Sequence, residues 1–439
     1  MDMLQTTCYR AIIASGLVVF SAGSVHSQDY QVSRLEADAR RTGLRVLNGD
    51  HLTLVTDRPT RKDDGIRELP VVFDQAFDAW CNHFNMDPEK HSHWKAFGCL
   101  IVERERFREV GLLPENIPDF SNGFCDRNRF WIIDQSNPNY RRHLMLHEGV
   151  HAFTISLRQL DTPAWYTEGL AEMLATHRLE KALPPHFIAT PIPVRASDVE
   201  QLGRIEEIQR LRATKRMPSI QQIFSLHGSA HGKLSLYAST WATVAMLSLH
   251  PRYSKMFSIL ERGSLDQSFT NRLTTSPAWD FADATRDFDA FTDDIDYGYD
   301  FRRSAVDWAP GTALQDGRHV EVLAGRGWQN SGIQLQPTNL YTMHAQGRVL
   351  LGHADAGPLE SEPQGISLAW HRRWPVGRLL AAQWAQGNDG DRPRFVVLSE
   401  GTDGEIRPLV EGPLFLKVNE SPGQLADSTG RYGVHIKAQ

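Results

Sequence analysis

The sequence predicts an α+β chain in two parts, a small sheet running into a helical half and then an all-β sandwich. Three observations carry this. Short runs between 51 and 134 are β-like, some with apolar and polar residues alternating. From about 139 to 300 helical periodicity takes over, as in "YASTWATVAMLSL" at 237–249. Beyond "DWAPGTALQDGRH" at 307–319 helix patterns vanish, and short β-rich runs alternate with Gly, Pro, Asn and Asp.

Taken in order, the chain opens like a secretory leader. Arg10 precedes the apolar run "AIIASGLVVFSAG", and "SVHS" offers Val25 and Ser27 for cleavage before Gln28. The run is short against the about 20 apolar residues of a membrane span, so export is expected over an uncleaved anchor. Residues 1–27 are then a signal peptide, and no stable membrane span remains after cleavage. Cys8 lies ahead of the apolar run, which speaks against lipid attachment. The mature chain keeps Cys81, Cys99 and Cys125. They could form one disulfide in an oxidising compartment, and burial as small apolar side chains reads equally well.

Residues 30–43 read as a short polar helix and "HLTLVTD" at 51–57 as a strand. "IRELPVVFDQAFDAWCNHFN" at 66–85 sets Phe73, Phe77 and Trp80 at helical spacing, with Pro70 near its start. "AFGCLIVERERF" at 96–107 and "GFCDRNRFWIID" at 123–134 read as further strands. The tail runs through "LYTMHAQGRVLLG", "ISLAWHRRW" and "PRFVVLSEG" to "YGVHIKA". The expected boundaries are one domain at 28–306, a linker at 307–318 and a second domain at 319–439. A chain of 439 residues has room for both cores. A net charge of -6 without long basic blocks gives nucleic acid no footing.

The chemistry gathers in "LMLHEGVHAFTISLRQLDTPAWYTEGLAEML" at 144–174. His147, Glu148 and His151 form H-E-x-x-H. On a helix, residues four apart share a face, so both imidazoles can reach one metal ion. Glu148 stands beside the first ligand, where it can touch a metal-bound water. The neighbours Met145, Leu146, Val150 and Phe153 mark the helix as buried, where unpartnered ionisable groups are costly. A catalytic zinc needs a third protein ligand and an open position. Glu168 and Glu172, again four apart, supply it. Glu168 is taken as the ligand. Glu172 can orient a ligating histidine through its free ring nitrogen, or lie on a solvated face.

"HEGVH" followed by "PAWYTEGLAEML" resembles the gluzincins, most of all their peptidase MA-like branch. The match falls on Pro163, Trp165, Glu168, Gly169, Ala171 and Glu172. The resemblance implies a gluzincin-like metallopeptidase domain, zinc on His147, His151 and Glu168, and Glu148 as general base. It also implies a Tyr or His that stabilises the oxyanion. Tyr237, His231 and Tyr166 are candidates, Tyr237 first, with core packing an equal reading for it. His91 and His93 of "HSHW" are a further histidine pair, better read as exposed loop.

The tail carries a second likeness. In "GPLFLKVNESPGQLADSTGRYGVHI" a polar loop joins two strands, and its oxygens suit a hard cation or simply solvent. From about Gly327 to Lys437 the chain is similar to the PA-I type galactophilic lectins. That resemblance implies a calcium loop with Glu420, Gln424, Asp427 and Ser428 at the ligand places, and glycans as partners. Two functions follow. One is an exported zinc-dependent metallopeptidase, a hydrolase of peptide or protein substrates with a carbohydrate-binding-like accessory domain. The other is a secreted or cell-surface glycan-binding protein whose zinc site is structural or vestigial.

Overall fold

The computed structural model describes residues 24–60, 65–180, 182, 184–226, 233–354, 357–386 and 391–439. Most of the predicted leader, and His231, lie outside the described residues. The architecture is α+β.

Helix α1 (Ser24–Arg41) leads into strands β1 (Arg45–Asn48) and β2 (Leu52–Thr56). Helix α2 (Leu69–His83) buries Phe73, Phe77 and Trp80, the spacing read in the sequence, with Pro70 in its first turn. Strand β3 (Ala96–Ile101) stops short of the predicted 107. The Asp57 carboxylate accepts the N–H groups of Val102 and Glu103, both at 2.9 Å, and so lifts the chain off the sheet into helix α3 (Arg104–Glu109). The run at 123–134 is not one strand but a hairpin, β4 (Gly123–Asp126) and β5 (Arg129–Ile133), with Arg127 turning at φ 56°. These strands form one sheet in the order β1-β2-β3-β5-β4, which leaves β4 on an edge.

The helical half follows with α4 (Pro138–Ala152), α5 (Ala164–Ala175), α6 (Arg204–Ala213), α7 (Ile220–Phe224), α8 (Leu234–Leu249), α9 (Ser254–Arg262), α10 (Phe269–Thr274), α11 (Phe281–Asp294) and the single turn α12 (Phe301–Ser304). A small hairpin interrupts it, β6 (His177–Glu180) paired with β7 (His186–Ala189), which the helical reading had not separated. A single buried cluster extends from Leu52 to Phe301 and merges the sheet face, α2, α4, α5 and α8.

Beyond it the chain is β-rich. The segment predicted as a linker contains strand β8 (Thr312–Ala313) and buries Trp308. Strands β9 (Arg318–Leu323), β10 (Gln329–Leu335), β11 (Tyr341–Ala354), β12 (Gly357–Ser361), β13 (Ile366–His371), β14 (Trp374–Val376), β15 (Leu379–Ala385), β16 (Arg394–Glu400), β17 (Asp403–Ile406), β18 (Gly412–Val418) and β19 (Thr429–Ala438) follow. One sheet runs β16-β15-β18-β10-β8 and the other β12-β11-β19-β9, with β17 also on β11. Side chains from both sheets, among them Val322, Ile333, Leu379, Leu416 and Val434, share one buried cluster, as in a sandwich.

The two parts meet over a mixed seam, an apolar cluster of Ala290, Val306, Trp308 and Phe415 flanked by polar contacts. Lys417 Nζ donates to Asp294 Oδ2 at 2.8 Å, Arg392 and Arg212 pair with Asp289, and Trp308 Nε1 donates to Asp287 at 2.7 Å. Cys81, Cys99 and Cys125 are free thiols, the first two buried. Burial pushes the thiols of Cys81 and Cys99 up to about 12, so both are held protonated. Among the described residues no helix is long and apolar enough to cross a membrane.

Candidate metal centre

Helix α4 starts where the Asn137 side chain accepts the N–H groups of Asn139 at 2.8 Å and Tyr140 at 3.0 Å. Pro138 fills its first position, where a missing N–H costs nothing. The Asp134 carboxylate at the end of β5 holds both Arg58 and the buried Arg141, which ties the helix to the sheet. From there α4 dives into the core with His143, His147 and His151 at four-residue spacing on one face. Directly after it Phe153–Leu157 winds as a π-helix. Thr154 and Ser156 hydroxyls donate back to the carbonyls of Val150 at 2.8 Å and Ala152 at 2.6 Å in this stretch.

Helix α5 packs between α4 and α8. At Gly169 a Cβ would lie 2.4 Å from the Thr240 carbonyl oxygen, so glycine is what allows α5 to sit on α8. That seating carries the neighbouring Glu168 and, one turn on, Glu172 towards the histidines. His147 Nε2 and His151 Nε2 lie 3.1 Å apart, and each is 3.5 Å from Glu168 Oε2. All three side chains are buried. Three ligand-type atoms from two helices therefore converge.

Glu172 faces the other side of His147. Its Oε1 lies 3.2 Å from His147 Nδ1 and its Oε2 lies 3.3 Å from His143 Nε2. Arg204 at the start of α6 donates from Nε and Nη2 to both oxygens at 2.8 Å. His143, His147 and Glu172 also gather closely enough to hold a metal ion. Arg204 fixes a positive charge on that carboxylate, which disfavours a second cation there. Sequence reasoning missed both Arg204 and His143. His143 had a signal, since it lies four residues before His147. Arg204 had none, being embedded in the charged run "RIEEIQRLRA".

The electrostatics follow from the packing. Burial raises the Glu168 carboxyl, yet His151 and His147 outweigh it and hold it far below the usual carboxylate range. Burial likewise opposes ionisation of Glu172, and Arg204 and His143 overcome it. Burial depresses His147, but hydrogen bonding to Glu168 and Glu172 drives it up to about 10. Glu148 differs, because burial prevails over His147 and His151 and raises its pKa. The His147 imidazolium and the Arg204 guanidinium thus balance the Glu168 and Glu172 carboxylates, and a cation bound at Nε2 would take the place of the His147 proton.

A cleft of about 490 Å³ opens onto this cluster, lined by Glu148, His147 and Tyr237 and by Asn122, Gly123 and Phe124 around β4. A Cβ at Gly123 would fall 2.3 Å from Glu148 Oε1, so the β4 edge and the Glu148 carboxylate share the rim. Tyr237 packs edge-on to His147 with ring centroids 5.8 Å apart, and Arg204 lies 5.4 Å over its ring. Burial raises the Tyr237 phenol above its ordinary range, so it remains a donor. Tyr166 does not join the site. It is buried in α5, and its hydroxyl donates to Glu261 at 3.0 Å, which makes it a core residue. His93 is exposed, and neither it nor His91 belongs to a ligand cluster among the described residues.

In the sandwich, Glu420 is buried and accepts the Ser421 N–H at 2.8 Å, while Gln424 and Asp427 are exposed. Ser428 is buried with an unpartnered hydroxyl. Among the described residues Glu420 and Asp427 join no group of three His, Cys, Asp or Glu side chains. Their loop also takes part in the seam, with Ser421 Oγ donating to Asp296 at 3.2 Å and Asp300 N–H to the Pro422 carbonyl at 3.2 Å.

No protein-family model matches the chain, and no curated protein matches it. Among solved structures it is similar to "EclA N-terminal domain; PllA-like lectin" at 21% identity and TM-score 0.21, over 28% of this chain and 95% of that one. It is also similar to "IMPa metallopeptidase in complex with T-antigen" at 9% identity and TM-score 0.16, over 94% of this chain and 54% of that one. Neither TM-score reaches that of a shared fold.

Proposed function

We propose that the chain is an exported zinc-dependent metallopeptidase, with a carbohydrate-binding-like sandwich at 319–439 joined through 307–318 to a catalytic domain at 28–306. The observation that supports it most is the buried convergence of His147 Nε2, His151 Nε2 and Glu168 Oε2 beside a cleft that His147 and Glu148 line. Two imidazoles and a carboxylate are a donor set that zinc takes at catalytic sites, and a divalent ion would displace the proton that Glu168 and Glu172 hold on His147. Zinc held there would supply Lewis acidity towards a carbonyl oxygen and acidify a water.

The chain's own residues divide the remaining work. Glu148 takes a proton from the attacking water on its carboxylate and delivers it to the leaving amine nitrogen. A pKa raised by burial suits a group that must both accept and release that proton. Glu172 Oε1, 3.2 Å from His147 Nδ1, can orient that ring so that Nε2 faces Glu168 and His151, and Arg204 holds Glu172 in place. Tyr237 can donate to the oxyanion as charge develops. The edge strand β4 on the cleft rim offers unpaired backbone groups to an extended peptide, which favours peptides as the amide substrate.

Elemental analysis should find one zinc per chain. The Glu148→Gln variant should keep that zinc while cleavage of unfolded protein substrates falls by about 100-fold or more. Wild-type cleavage by this variant would sink the assignment.

A further inference from the structure

A second cleft, about 590 Å³, lies where the helical half meets the sandwich, and no residue of the metal cluster lines it. Asp293 and Asp294, ending α11, form one wall; Trp328, Arg373, Trp374 and Phe395 form much of the other. Its floor is fixed. Lys417, almost fully buried, pairs with Asp294 at 2.8 Å. The buried Asn419 carboxamide donates to the carbonyls of His371, Trp374 and Pro375 at 3.2, 3.0 and 3.0 Å. Such a cleft is preformed, and a ligand entering it loses little to reordering the protein.

The chemistry of its walls is specific. Phe395 stacks on Trp328 with centroids 4.6 Å apart, and Arg373 lies 5.0 Å over the Trp374 ring. The other cations are paired: Lys417 and Arg372 with Asp294, Arg394 with Asp391. Arg373 is exposed and, among the described residues, has no carboxylate partner. His371 Nε2 is buried without a hydrogen bond, 3.8 Å from Asp294 Oδ1. Asp293 is bonded by Arg212 at 3.1 Å and retains acceptor capacity.

We infer that this cleft binds an acidic saccharide. The C–H face of a pyranose packs against Trp374, its carboxylate pairs with Arg373, and its hydroxyls serve Asp293 and Arg394 together. Hydroxyl groups donate and accept, which a mixed lining of this kind requires. An acidic peptide offers the charge without that run of hydroxyls. None of Glu420, Gln424, Asp427 and Ser428 lines the cleft, so a calcium ion on their loop would not touch the sugar. The site goes beyond the peptidase reading and stands without it.

Calorimetry on the full chain tests this with sialyllactose, a glucuronate oligosaccharide, neutral lactose and a tetra-aspartate peptide, each with and without calcium. The acidic sugars should bind about ten-fold or more tighter than lactose, independently of calcium, and Arg373→Ala should weaken them by a similar factor. Arg373 is exposed, so that variant should fold, as circular dichroism will show; Glu148→Gln should bind like wild type. Lactose binding as tightly, calcium dependence, binding of the peptide alone, an unaffected Arg373→Ala variant or no binding of either acidic sugar overturns the inference.

Discussion

At the scale of single residues, Glu172 is the pivot of the centre, since its two oxygens serve His143, His147 and Arg204 at once. A carboxylate that orients a ligating imidazole typically governs metal affinity by about 10–100-fold. Glu172→Gln should therefore weaken metal binding by that factor in competition with a chelator, and unchanged affinity would show that Glu172 does not orient the ligand. Glu168 and Glu172 were legible from their four-residue spacing, as His147 and His151 were. Arg204 was not, because its contact is made across helices and its own segment looks like a solvated face. Tyr166 stood among the candidates for the converse reason: nothing local distinguishes a phenol facing a cleft from one bonded to a buried Glu261.

At the scale of elements, the long periodic segments were legible and the interruptions were not. The aromatic stripe of α2 appears as read, whereas the end of β3 is decided by Asp57, far away in sequence. The π-helix after His151 and the β6–β7 hairpin also depend on tertiary partners, and periodicity cannot register them. The contact of α5 with α8 offers a direct test. Gly169→Ala drives a methyl group into the Thr240 carbonyl and must push α5 away. Overpacking of this kind costs about 1–3 kcal/mol, so the melting temperature should fall and metal affinity with it. A variant with both unchanged would show that the two helices do not set the distance between Glu168 and the histidines.

At the scale of the whole molecule, the two-part order of the chain was legible from the change in composition near 307–319, but the seam was not. Its ion pairs join Asp294 to Lys417 and Asp289 to Arg392, charges that the sequence shows only as scattered. Burial pushes the Asp294 carboxyl up, yet Lys417, His371 and Arg372 outweigh it and hold it below the usual carboxylate range. A carboxyl depressed on folding contributes its full stability above its unfolded pKa of about 4, and loses it as pH falls towards the folded value. The seam should thus loosen on acidification below about pH 4. In Asp294→Asn, Lys417 is left buried and unpaired, at a cost of about 3–5 kcal/mol near neutrality. Chemical denaturation against pH measures both. A variant as stable as wild type at pH 7 would show that this pair does not hold the seam.

The placement of β19 has a consequence for how the chain is made. It comes after every other strand of the sandwich, yet it sits in the middle of its sheet, hydrogen-bonded to β11 on one side and β9 on the other. During synthesis β9 and β11 emerge long before the strand that joins them, and both must wait with open edges. The helical half has no such delay, because its buried cluster draws nothing from beyond Phe301. Newly made chains would therefore pass through a stage with a finished front and an unzipped back, and at that stage they would be most prone to stick to one another.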